Sequence, residues 1–205
     1  MHCTLLSEFA LTPLVRCLGN LCSGPTKNIK LVMQNGCILT IFPFLVNSQH
    51  RHIRKESLWL LSNLLVDVTV CSSVCKIPNL ILYIVQRCEE TFDIQKEALV
   101  CLCNMAYSGR DTCEELLQQG VIQAVIPFLT SPDPELLTGT LNFCNMMLMY
   151  YRQSKMKFEE FGFLDRLDLL ANHNIHIVQE LAQQILDHYF YEDDDMEQCS
   201  TDVRS

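Results

Sequence analysis

Four short stretches of this sequence share one ending: Val15-Arg16-Cys17-Leu18-Gly19-Asn20, Leu58-Trp59-Leu60-Leu61-Ser62-Asn63, Leu99-Val100-Cys101-Leu102-Cys103-Asn104 and Thr140-Leu141-Asn142-Phe143-Cys144-Asn145. The closing asparagines stand 43, 41 and 41 residues apart. A second marker keeps the same step: Gly36, Asn79, Gly120 and Gly162 each precede an apolar run, at intervals of 43, 41 and 42 residues. Gly and Asn are the residues that accept the left-handed backbone at a helix end. Two separate markers on one period identify an internal repeat, and a repeat decides the architecture before any single element does.

A period near 42 lies in the range of armadillo and HEAT repeats, whose units are two or three packed helices. The spacing predicts helices at 27–34, 37–46 and 52–66, then 68–76, 80–88 and 92–107. Further helices follow at 112–119, 121–129 and 134–151, and at 155–161, 163–171 and 175–190. The expected organisation is a repeat array over 1–190, with units at about 1–24, 25–66, 67–109, 110–152 and 153–190, and an acidic disordered tail at 191–205. The first unit supplies only its last one or two helices. Array ends normally carry a polar cap, so a chain that opens inside a repeat is expected to be a shortened form of something longer.

Composition agrees with this class. The chain has 205 residues, 49% of them hydrophobic, which suffices for one sizeable core but not for several domains. Seven Gly and seven Pro are few for an all-β protein full of turns. A net charge of −9 does not suit a general nucleic-acid binder, which needs clustered Lys and Arg; it suits a basic partner. Twelve cysteines, most of them inside apolar helical runs, behave as small hydrophobes and point to a reducing cytosolic or nuclear compartment. No secretory leader is read at the start. The greasiest runs, 37–46 and 79–85, are about half the roughly 20 residues that span a bilayer, so no membrane association is expected.

The repeated asparagine suggests a binding geometry. Positions i and i+4 share a helix face, so Arg16 lies with Asn20 and Trp59 with Asn63. Stacked helices sit about 8–10 Å apart. An extended peptide advances about 3.3 Å per residue, so each step of the stack matches about three peptide residues. An Asn amide carries both a donor and an acceptor and can pair with a peptide main chain. Trp59 offers an aromatic wall to a Lys or Arg stem. Lys55-Glu56 and Lys96-Glu97 place a carboxylate one turn away. The alternative is that each Asn satisfies backbone within the array, or sits on a solvated face.

The residues also carry a family resemblance, in order and over nearly the whole chain. The stretch Leu11-Thr12-Pro13-Leu14-Val15-Arg16-Cys17-Leu18-Gly19-Asn20-Leu21-Cys22-Ser23-Gly24 resembles the sixth armadillo repeat of importin-alpha proteins. Lys55-Glu56-Ser57-Leu58-Trp59-Leu60-Leu61-Ser62-Asn63 is similar to the seventh. Lys96-Glu97-Ala98-Leu99-Val100-Cys101-Leu102-Cys103-Asn104, with Tyr107-Ser108-Gly109, is similar to the eighth. Glu159-Glu160-Phe161-Gly162-Phe163-Leu164-Asp165-Arg166-Leu167 and His188-Tyr189-Phe190, before the acidic run, resemble the tenth repeat and tail.

The resemblance implies an all-α, right-handed armadillo-repeat solenoid of about five three-helix repeats, the first partial. It also implies an adaptor that binds basic nuclear localisation signals in a concave groove for import into the nucleus, present in cytoplasm and nucleus, with only the minor-site half here. The implied peptide-binding residues are Arg16, Asn20, Glu56, Trp59, Asn63, Glu97 and Asn104. An export receptor is the implied partner of the last repeat and acidic tail, from about Phe163 to Glu197. Importin-beta is not expected to bind, because its basic arm is not among these residues. Two positions depart from the pattern. The family has a second groove Trp where this chain has Val100 and an acidic residue where it has Leu141, so signal binding is expected to be weaker or altered. The alternative is an armadillo scaffold for protein–protein interaction that has lost signal binding. Cys71 with Cys75, Cys101 with Cys103 and His50 with His52 lack zinc-site spacing, and no nucleophile signature or phosphate loop is present. Neither a metal, a cofactor nor an enzymatic activity is expected.

Overall fold

A computed structural model describes residues 8–34 and 38–191. Gly36, Cys37 at the start of the helix expected at 37–46, and the acidic run from Glu192 lie outside the described residues. Among the described residues there are thirteen α-helices and no strand. The chain divides into two compact units, the first ending at Ala124 and the second starting at Val125.

The first unit holds α1 (Glu8–Cys22), α2 (Thr26–Gln34), α3 (Ile38–Val46), α4 (Arg51–Leu64), α5 (Val68–Val74), α6 (Leu80–Arg87), α7 (Phe92–Tyr107) and α8 (Arg110–Gln118). The helix α9 (Val121–Val125) ends as the second unit begins. The long helices α4 and α7 show why the period works. On α7 the buried set is Ile94, Ala98, Leu99, Cys101, Leu102, Met105 and Ala106, a stripe at i, i+4, i+7 and i+11. On α4 it is Ile53, Ser57, Leu58, Leu60, Leu61, Ser62 and Leu64. Helix α1 packs on α4 and α4 on α7, while α3 and α6 pack on the same layer from behind.

Short turns need explicit start signals. The Asp67 carboxylate accepts a hydrogen bond from the Thr69 N–H at 2.9 Å and so caps α5. Such a cap is worth about 1 kcal/mol. The left-handed backbone expected at the second marker is present at Asn79 (φ 63°), Gly120 (φ 75°) and Gly162 (φ 69°), each the hinge into the following helix.

Most of the described cysteines are core residues: Cys22, Cys71, Cys88, Cys101, Cys113 and Cys144 are buried, whereas Cys17 is exposed. Buried Cys101 donates through Sγ to the Leu58 carbonyl at 3.2 Å, and Cys113 to the Ala106 carbonyl at 3.4 Å. Burial pushes the Cys71 thiol up to about 11 and those of Cys88, Cys103 and Cys113 up to about 12. These thiols stay protonated at neutral pH and are poor metal ligands or nucleophiles.

The second unit holds α10 (Pro134–Tyr150), α11 (Ser154–Glu160), α12 (Phe163–Leu170) and α13 (His176–Leu186). Asp133 caps α10 through the Leu136 N–H at 2.8 Å, and Pro134 occupies the first turn, where its missing N–H costs nothing. Two expected helices change character. The segment read as 121–129 is α-helical only to Val125 and then 3₁₀ over Ile126–Thr130. Pro127 has no N–H for the i−4 carbonyl, and the tighter winding avoids that bond. The segment read as 175–190 leaves the α-helix after Leu186 for one π-helical turn, Asp187–Tyr191. Helix α13 packs on α10 and α12, with the Phe158, Phe163 and Phe190 rings clustered at the base.

Asn79 tests the hinge. Asn79→Ala places a Cβ-bearing residue without a compensating side-chain polar group at φ 63°, and about 1 kcal/mol of stability should be lost. Asn79→Gly should match or exceed the wild type. Urea unfolding of the three proteins side by side checks the order.

Candidate functional site

Stacking α1, α4 and α7 brings residues some 40 positions apart to one place. Arg16 and Asn20 of α1, Lys55, Glu56 and Trp59 of α4, and Glu97 of α7 line one cleft of about 260 Å³. Five of the seven residues expected from the sequence are among these six. Asn63 and Asn104 lie outside the cleft lining, one turn further along α4 and nearly two along α7.

The wall of the cleft is Trp59, and its seat is Gly19. A Cβ built on Gly19 would lie 2.2 Å from Cζ3 of the indole. A glycine inside a helix costs about 1 kcal/mol relative to alanine; here it lets the ring lie against the α1 backbone. The four repeated stretches carry Gly19, Ser62, Cys103 and Cys144 before their asparagines. The lone glycine in that column is the signal that sequence reading passed over.

The two carboxylates differ in state. Glu56 is paired: Oε1 accepts from Arg16 Nη2 at 2.5 Å. The Arg16 side chain is 61% exposed and that of Glu56 14%. The hydrogen bond to Glu56, and then its charge, raise the guanidinium's pKa. Arg16 therefore lies at the cleft already bound to an acid. Lys55 Nζ is 3.4 Å from Asp93 Oδ2, and Asp93 also accepts from Arg51 Nη2 at 2.5 Å. Glu97 is different. It is half-buried and its carboxylate has no hydrogen-bond partner among the described residues. Burial raises its pKa above the ordinary Glu value, and Glu56 and Asp93 push the same way, against Lys55 and Lys96. A carboxylate held in that state gains most from a cation placed beside it.

The asparagines act first within the fold. Asn63 Nδ2 donates to the Gly19 carbonyl at 3.3 Å, and Asn104 Nδ2 donates to the Ser62 carbonyl at 2.9 Å. Each amide ties its helix to the preceding one. One N–H of each amide is spent on the neighbouring helix, which leaves a second N–H and the side-chain oxygen. Asn20, on the outermost helix of the stack, is exposed and makes no side-chain hydrogen bond among the described residues.

The two departures also resolve differently. Val100 is 46% exposed on α7, one turn before Asn104, so a groove position does hold an aliphatic side chain. Leu141 is fully buried on α10 of the second unit. It is a core position there and offers no contact to a cation. Among the described residues, no cluster of His, Cys, Asp and Glu can hold a metal, and no single helix is long and apolar enough to cross a membrane.

No family model matches the chain. Importin subunit alpha-1b of Oryza sativa subsp. japonica is 25% identical over 204 residues, covering 92% of this chain and 38% of that protein. Importin subunit alpha-5 of Arabidopsis thaliana is 26% identical over 156 residues, covering 71% of this chain and 30% of that protein. The chain thus spans less than two-fifths of the curated relatives it matches. A designed armadillo repeat protein solved in complex with the peptide (KR)4 superposes with a TM-score of 0.83 at 20% identity, over 90% of this chain and 77% of that one. A second designed armadillo repeat protein gives 0.82 at 16% identity, over 91% and 78%. The fold is that of armadillo-repeat solenoids, and this chain is an armadillo-repeat protein similar in sequence to importin alpha subunits.

Proposed function

We propose that the cleft between α1, α4 and α7 binds the basic side chains of an extended peptide, and that the natural ligand is a Lys/Arg-rich nuclear localisation signal. The observation that carries this reading is Glu97: a half-buried carboxylate without a hydrogen bond among the described residues, lining the same cleft as Trp59. A Lys or Arg entering the cleft lays its alkyl stem along the ring and its charge beside Glu97. The Asn63 and Asn104 amides, each with a second N–H and an oxygen left over, pair with the peptide main chain. Asn20 supplies both donor and acceptor. The designed relative solved with (KR)4 supports the ligand class. The importin alpha relatives support a role in nuclear import with passage between cytoplasm and nucleus. The role is that of an adaptor and not an enzyme.

One feature favours a second reading. Arg16 occupies Glu56, and Val100 stands where a second aromatic would extend the wall. Both weaken a chain of cation pockets, and they fit a scaffold that binds a partner of other chemistry along the same layer.

Trp59 is the only tryptophan, so its fluorescence reports this cleft alone. Titration with a Lys/Arg-rich peptide should shift its emission, with affinity falling as salt rises. Glu97→Gln should weaken binding about tenfold, the scale of one charge-assisted hydrogen bond. An unchanged Trp59 signal at low salt sinks the signal-binding reading and leaves the scaffold.

Glu97 also sets a pH dependence. Its folded pKa lies above the unfolded value, so its ionisation opposes folding. The stability is fully present below the unfolded pKa and is lost as pH rises through the folded one. Peptide binding has the opposite sign, because it needs the carboxylate ionised, and affinity should drop as pH falls through the folded pKa. Glu97→Gln should flatten that pH profile and raise the neutral-pH melting temperature of the free protein. Burial alone predicts the change in melting temperature; only a role in binding predicts the flattened pH profile of affinity.

Arg16 gives a third outcome. If the guanidinium competes with the ligand for Glu56, Arg16→Ala should tighten peptide binding several-fold. A loss of similar size would make Arg16 a direct contact.

A further inference from the structure

A cleft of about 680 Å³ lies within the first unit, between α3, α6 and the loop that joins α5 to α6. It shares no lining residue with the Trp59 cleft. Its apolar wall is built by Pro43 and Phe44 of α3, Ile77 and Pro78 of the loop, and Tyr83 of α6. Backbone hydrogen bonds hold the loop in shape. The Lys76 N–H donates to the Ser73 carbonyl at 3.2 Å, the Ile77 N–H to the Val74 carbonyl at 3.0 Å and the Leu80 N–H to the Ile77 carbonyl at 3.2 Å. A wall ordered before binding loses little entropy when a ligand arrives.

Phe44 is 79% exposed, and the repeat does not demand it. Leu39 and Phe42, buried on α3, match buried Ile81 and Ile84 of α6 at a step of 42 residues. On the same step Phe44 matches Gln86, an exposed polar residue of the kind a solvated position usually holds. A phenyl ring left in water beside an apolar cleft marks a docking site, where a few large side chains carry most of the binding energy.

Charge then selects the occupant. Lys76 is exposed, is the one charged residue lining the cleft, and makes no ion pair among the described residues. Glu115 and Lys76 both line a smaller cleft on the other side of the loop, without forming a salt bridge. Among the described residues no Asp or Glu lines the larger cleft, in a chain with 24 acids and 15 bases. The Tyr83 hydroxyl and the Asn47 amide make no side-chain hydrogen bond among the described residues and add donors at the rim. The sign is opposite to that of the Trp59 cleft, which Glu56 and Glu97 line. A cation and free donors around an apolar wall complement a ligand that carries an apolar ring with a carboxylate close by.

We propose that this cleft docks a partner protein through a short acidic segment with an aromatic residue, its ring against Phe44 and Tyr83 and its neighbouring carboxylate on Lys76 Nζ. The proposal stands apart from the reading above, with different residues and a ligand of opposite charge.

The experiment is calorimetric titration of the full chain at low salt with a capped Glu-Asp-Phe-Glu-Asp-Leu hexapeptide. One site is expected, with affinity falling as salt rises. Phe44→Ala and Lys76→Glu should each weaken it at least tenfold. Both side chains are exposed, so circular dichroism of either variant should match the wild type. Replacing the peptide's Phe by Ala should weaken binding to the wild type and leave no further effect of Phe44→Ala, as a direct contact requires. Glu97→Gln should leave the affinity for this peptide unchanged. The absence of heat at millimolar peptide overturns the proposal, as does binding indifferent to Phe44 and Lys76, or binding lost with Glu97→Gln instead. Sedimentation of the free protein as a dimer that Phe44→Ala dissociates would assign the cleft to a second copy of the chain and overturn it as well.

Discussion

The structure depends on side chains that reach from one repeat to the backbone of the one before it. Asn63 bonds the Gly19 carbonyl, Asn104 bonds the Ser62 carbonyl, and Cys101 bonds the Leu58 carbonyl from within the core. A helix offers its carbonyls along its axis, so a strut to a particular carbonyl fixes both the height and the rotation of one helix against the next. Apolar packing alone is non-directional and would tolerate a slip along the stack. These polar struts remove that freedom, and the asparagine strut recurs from one repeat to the next, at Asn63 and Asn104.

Once register is fixed, the cleft follows. Trp59 can lie on Gly19 only if α4 sits at one height on α1. Arg16 can meet Glu56 only at the same height. Glu97 then arrives from α7 at the floor. The same dual use explains why the asparagine admitted two readings. It braces the stack through one N–H and keeps a second N–H and an oxygen, so the structural and ligand-binding roles are not exclusive.

The period was readable because repetition multiplies weak signals. One Asn or one Gly says little, whereas four of each on a common step locate three left-handed hinges that the structure shows at Asn79, Gly120 and Gly162. The helix layout and the residues meeting at the cleft came from that step. What stayed hidden depends on partners about 40 residues away, whose side-chain directions no local pattern encodes. The pairing of Arg16 with Glu56, the commitment of Nδ2 and the seat of Trp59 are of this kind. Leu141 shows the limit of periodicity. It holds the place of Trp59 and Val100 in its repeat, yet it is buried, because exposure depends on what covers α10 and not on phase. The sequence reading expects one helix over 121–129, although Pro127 within it accounts for the 3₁₀ turn; the π turn after Leu186 has no comparable mark.

The distribution of charge separates the parts of the fold that are finished from those that are not. Arg51, Arg54, Lys55 and Arg87 all meet acids, at Asp93 and Glu90, and together they lace α4, α6 and α7. Glu56 meets Arg16. In a chain with nine more acids than bases, surface carboxylates without partners are expected and cost little, because water solvates them. Glu97 is not such a case: it is withdrawn from water, adjacent to other acids, and its ionisation works against the fold. A residue that destabilises its own protein needs a compensating use, and stability thresholds tolerate such residues where a ligand supplies the missing interaction. A cation brought in from outside would relieve the burial and the repulsion together. That is a stronger argument for a basic partner than the net charge of the chain, because it names the atom the charge must reach.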